Sequence, residues 1–130
     1  MINNNFEKKL KSKEFVFTAE TSPPDSTVRS EITDRVLCLK DLADAINVTD
    51  GASAKSHLSS LVVSSIIKDI EIEPILQLTT RDRNRIAIQS DLLGAWTLNI
   101  QNILCIYGDQ VETGDQPVSY THLTLPTISR

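Results

Sequence analysis

Two carboxylates stand out in this chain by what surrounds them. Glu20 ends the apolar run Phe15-Val16-Phe17-Thr18-Ala19-Glu20 and is followed by Thr21-Ser22-Pro23-Pro24, where two prolines stiffen the chain instead of starting a helix. Asp109 closes a second run, Asn102-Ile103-Leu104-Cys105-Ile106-Tyr107-Gly108-Asp109. A carboxyl on a short rigid loop at the mouth of a strand is placed as binding and catalytic groups commonly are. Two further runs end in polar residues: Ala45-Ile46-Asn47-Val48-Thr49-Asp50, and Pro74-Ile75-Leu76-Gln77-Leu78-Thr79, which carries Gln77 and Thr79 before Thr80. For Asp50, Thr79, Thr80 and Asp82 the competing reading is helix capping, which favours these residue types wherever a strand gives way to a helix. The run Arg81-Asp82-Arg83-Asn84-Arg85 reads as a solvated, salt-bridged helix start, and His57, alone on a Ser-rich helix, as a surface residue.

The four apolar runs begin about every 30 residues, the length of one βα unit. Helical patterns lie between them. The first carries Val28, Ile32, Val36 and Leu39 behind the capping candidates Ser26, Thr27 and Ser30. The second, about 54–70, places Leu58, Leu61, Val62, Ile66 and Ile70 on one side. The third, about 82–98, turns Ile86, Leu92, Leu93 and Trp96 inward and ends at Asn99, a residue suited to a left-handed cap. Strands alternating with helices at a steady period imply parallel pairing, in a doubly wound sheet or a barrel. Neither G-x-G-x-x-G nor G-x-x-x-x-G-K-[ST] occurs, which favours the barrel, and a barrel gathers strand-end polar groups at one mouth.

Composition narrows the classes further. With 130 residues, 40% hydrophobic and 23% charged, the chain is ordinary for a globular domain. Its net charge of −4 and scattered lysines and arginines offer no basic stripe for a phosphate backbone, so nucleic acid is not an expected partner. The N-terminus does not read as a secretory signal and no stretch reaches the roughly 18 apolar residues of a membrane span, so a cytoplasmic protein without a membrane partner is expected. Cys38 and Cys105 belong to no C-x-x-C or Cys/His cluster; they read as small core residues, with no metal site.

Four segments together resemble one family. Thr-Ala-Glu-Thr-Ser-Pro-Pro (18–24), Asn-Val-Thr-Asp (47–50), Ile-Leu-Gln-Leu-Thr-Thr-Arg-Asp-Arg-Asn-Arg (75–85) and Asn-Ile-Leu-Cys-Ile-Tyr-Gly-Asp (102–109) resemble, in order and spacing, successive motifs of methylenetetrahydrofolate reductase. The resemblance implies an α/β fold, a (β/α)8 TIM-type barrel of which about the first four βα units are present. It implies FAD at the barrel mouth, a folate substrate, NADH or NADPH as donor, and hydride transfer from reduced flavin to 5,10-methylenetetrahydrofolate. Glu20 matches the family's general acid, and Asp109 an acidic residue near flavin and pterin. Thr49 matches a flavin-contacting hydroxyl, and Gln77 stands where some members carry a flavin-contacting histidine; as an amide it keeps hydrogen bonding without titrating. Tyr107 stands where some relatives have arginine before Gly108-Asp109, and these three are the remaining cofactor-binding candidates. A homo-oligomer or an accessory subunit is expected of the complete protein. Other one-carbon barrels, such as a pteroate synthase or a corrinoid methyltransferase, and a non-catalytic interaction fragment are the alternatives.

Residues 1–117 read as the N-terminal half of the barrel, the family pattern covering about 14–117, and 118–130 reads as a non-native tail. Four units form half a barrel with two open edges, a shape that invites pairing or aggregation and supplies only part of a cofactor site.

Overall fold

The computed structural model describes residues 5–117. Helix α1 (Asn5–Ser12) precedes strand β1 (Thr18–Thr21), and then α2 (Arg29–Leu37), β2 (Ala45–Val48), α3 (Ser60–Asp69), β3 (Pro74–Thr79), α4 (Arg85–Thr97) and β4 (Asn102–Ile106) follow in strict alternation. The strands form one parallel sheet in the order β1-β2-β3-β4. The order never reverses, as it does at the switch point of a doubly wound sheet, so this is one continuous arc of parallel strands, as in part of a TIM barrel wall.

Register fixes the two faces of that arc. Ala19 pairs with Ile46, Val48 with Leu76, and Leu76 with Ile103, so these residues share a side. On it Ile46 and Val48 pack with Ile32 and Val36 of α2 and Val63, Ile66 and Ile67 of α3, while Leu76 packs with Ala95 of α4 and Ile100. All three crossover helices therefore lie on one face. The opposite face carries Glu20, Asn47, Gln77 and Leu104, alternating with the core residues, and corresponds to a barrel interior.

Several expectations are corrected. Phe15 and Phe17 are 86% and 58% exposed and precede β1, because the backbone of Phe17 is engaged by Asp44 instead of a strand partner. Helix α1, absent from the sequence reading, is tied to the sheet's N-terminal edge by an ion pair between Lys9 and Asp44. Helix α3 begins at Ser60, not near 54, because Gly51, Ser53 and Ala54 adopt left-handed backbone angles that no right-handed helix can include. Its buried face is Val63, Ile66 and Ile67, and Val62 points outward.

Helix α4 reverses its expected orientation. Ile86, Leu93 and Trp96 are largely exposed and Leu92 partly so; the helix approaches the sheet through Ala95, and Gly94 approaches Leu61 of α3. Small residues let the helix axis come close, so the large side chains turn away. Asn99 does take the left-handed conformation, with φ 58°. Both cysteines are exposed, Cys38 just beyond α2 and Cys105 on β4, where no following helix covers the sheet among the described residues. His57 is half-buried, with Nε2 near the Ala52 carbonyl at 3.3 Å.

Candidate active site

Parallel strands bring all their C-terminal ends to one edge, so residues far apart in the chain meet there. Glu20 lies on β1 and Gln77 on β3, and the Gln77 amide donates to Glu20 Oε2 at 3.4 Å across the intervening Asn47, which is in register with Glu20. Gln77 is 8% exposed, whereas Glu20 opens to solvent on the face away from the helices. Behind Glu20 the Pro23-Pro24 segment is buried, and the Pro24 carbonyl accepts the Leu58 amide at 3.0 Å. The stiff loop read from the sequence is thus anchored to the loop after β2. Thr49, also 8% exposed, donates its hydroxyl to Ser22 Oγ at 3.1 Å and its amide to the Thr21 carbonyl.

The other half of the edge is built around β3 and β4. Gly108 has φ +103°, and a Cβ there would lie 2.4 Å from Thr79 Cγ2, so glycine alone fits. Asp109 follows it, its carboxylate accepting the Ser53 amide at 2.6 Å. Tyr107 is 76% exposed, and its carbonyl accepts the Arg81 amide. Glu20 and Gln77 are therefore brought into contact, while Asp109, Gly108 and Tyr107 form a neighbouring group on the same edge, joined to the loop after β2.

The capping readings fail for Asp50. Its carboxylate accepts the Thr79 amide at 2.9 Å and pairs with Arg83, while its carbonyl accepts the Thr79 hydroxyl at 2.8 Å. The cap of α4 is Asn84, whose side chain accepts the Ala87 amide. Nor is the arginine run a solvated helix start. Arg81 and Arg83 precede α4, and the Arg81 side chain is only 7% exposed. Its guanidinium donates to the Asp109 carbonyl at 2.8 Å and to the Gly51 carbonyl at 3.4 Å, besides gripping Asp82. The hydrogen bond to Asp82 leads the causes that hold Arg81 above its ordinary pKa, against a smaller opposing effect of burial. For Arg83 burial is the largest influence and opposes the charge, but the combined pull of Asp50 and Asp91 prevails and raises its pKa.

No group of three or more His, Cys, Asp or Glu able to hold a metal occurs among the described residues. A recess of about 910 Å³ lies at the opposite end of the sheet, lined by residues including Phe6, Lys9, Phe17 and Asp44. It is remote from the strand-end groups, and those groups, not the recess, make the candidate site. No helix among the described residues is long and apolar enough to cross a membrane.

The curated proteins give no match to the chain. The family model described as methylenetetrahydrofolate reductase matches residues 5–124, and so covers every strand and helix above together with Glu20, Thr49, Gln77 and the Tyr107-Gly108-Asp109 group. A match over nearly the whole chain, on an unreversed parallel α/β arc, carries the assignment: the chain belongs to the methylenetetrahydrofolate reductase family.

Proposed function

We propose that this chain supplies the first four βα units of a flavin-dependent barrel that reduces 5,10-methylenetetrahydrofolate to 5-methyltetrahydrofolate with NADH or NADPH as donor. The observation that carries the reading is the Glu20–Gln77 contact at 3.4 Å on the helix-free face, at the strand ends of a chain of this family. The donor set suits an isoalloxazine ring, whose edge presents both donors and acceptors. Gln77 offers an amide able to do either, and Asp109 a carboxylate. Thr49, Gln77, Tyr107, Gly108 and Asp109 would hold FAD, which when bound would take a hydride from the nicotinamide donor and, in its reduced form, supply it to the folate.

In this reading Glu20 is the general acid that passes a proton to the folate as its imidazolidine ring opens. The amide of Gln77 donates to its Oε2 at 3.4 Å. Gln77 orients the carboxyl without competing for the proton, since an amide does not titrate.

The test uses the complete enzyme, with its two half-reactions measured separately by stopped flow. Glu20→Gln keeps the shape and removes the proton, so folate reduction should slow by about 10²–10⁴-fold while flavin reduction by the nicotinamide donor is unchanged. Asp109→Asn should shift both half-reactions, the folate step more. Equal slowing of both steps by Glu20→Gln would mean that Glu20 holds the site together and is not its acid.

A further inference from the structure

The loops after β2 and β4 are joined over the end of β3. Ser53 N–H donates to the Asp109 carboxylate at 2.6 Å, Ser56 N–H donates to the Asp115 carboxylate at 2.9 Å, and Asp115 N–H donates to the Ala54 carbonyl at 3.1 Å. Arg81 sits beneath this junction, its guanidinium reaching the carbonyls of Gly51 on one loop and Asp109 on the other. Both flanking glycines make room for it. A Cβ on Gly51 would stand 3.0 Å from Arg81 Nη2, and one on Gly108 would stand 3.1 Å from Nη1. The planar fork, with donors at fixed angles, suits two carbonyls held apart, whereas an ammonium is a single point.

We propose that Arg81 is a positioning residue that sets the Asp109 carboxylate by clamping the loops after β2 and β4 together. Backbone and side chain of Asp109 are then held from two directions, by Arg81 at its carbonyl and by Ser53 at its carboxylate. The consequence for catalysis rests on the function proposed above; the clamp itself does not.

Two measurements on the complete protein separate these. Amide exchange read without flavin tests the clamp: Arg81→Lys keeps the charge but not the fork, and should lower protection at Ser53 and Asp115 by about tenfold or more while Ile46 and Leu76 keep theirs. Arg81→Gln should do the same. Unchanged protection at Ser53, or equal loss at Ile46 and Leu76, overturns the proposal. In the flavin-loaded enzyme, Arg81→Lys should slow the limiting rate of folate reduction by about ten- to a hundredfold with little change in folate affinity. Combined with Asp109→Asn it should add almost nothing further, because both changes act through one carboxylate. Multiplying effects overturn the proposal, since a general loss of structure would multiply. A wild-type enzyme that takes flavin but does not reduce folate sinks the functional reading, and the exchange experiment still decides the clamp.

Discussion

Gly108 shows how narrowly the strand-end geometry is set. Its φ of +103° is costly for any residue with a Cβ, and the added carbon would overlap Thr79 Cγ2 at 2.4 Å. Gly108→Ala should therefore destabilise the fold by about 1–3 kcal/mol, read as a lower urea midpoint with an unchanged slope. A midpoint equal to wild type would show that the turn relaxes freely. Asp44 gives a second prediction at this scale. The side-chain hydrogen bond from Lys9, followed by that from the Phe17 amide, holds its carboxyl below the ordinary 3.8. A carboxyl depressed in the folded state contributes stability above its unfolded pKa and loses it as pH falls through the folded value. The tie between α1 and the sheet should therefore persist at pH 5 and give way below about pH 3.8, and in Lys9→Gln the Asp44 titration followed by NMR should move back up. No upward movement would show that the Phe17 amide alone sets the value.

Among the elements, the strands were legible and the orientation of the helices was not. Pro74–Thr79 was read residue for residue, since a buried parallel strand is an apolar run closed by polar residues. The starts of β1 and α3 were misread because the decisive influences are distant or conformational: Asp44 engages Phe17, and left-handed turns at 51–54 interrupt an otherwise helical pattern. Helix α4 was misread because apolar periodicity says which residues share a face, not whether that face meets the sheet; Ala95 and Gly94 won the contact through size. In the site, Glu20 and Gln77 were legible as strand-end polar groups, and their contact follows from parallel order. Arg81 and Arg83 were visible only as a charged run, since their partners Gly51, Asp50 and Asp109 lie about 30 residues away on neighbouring strand ends.

For the whole molecule, the arc sets what the chain alone can do. It offers four strand ends, whereas a dinucleotide-sized cofactor is held by loops around most of a barrel mouth. The 130-residue chain should therefore lose FAD on purification, and a flavin-to-protein ratio near one after gel filtration would show that these strand ends suffice. The sheet order has another consequence, for the time course of synthesis. Neighbours among the four described strands are neighbours in the chain, so β2, β3 and β4 each meet a partner strand already made. This arc can grow from its N-terminus in the direction of translation, with each strand pairing to the one before it. A doubly wound sheet cannot do this across its reversal, where a later strand must return past those already laid down to pair beside the first.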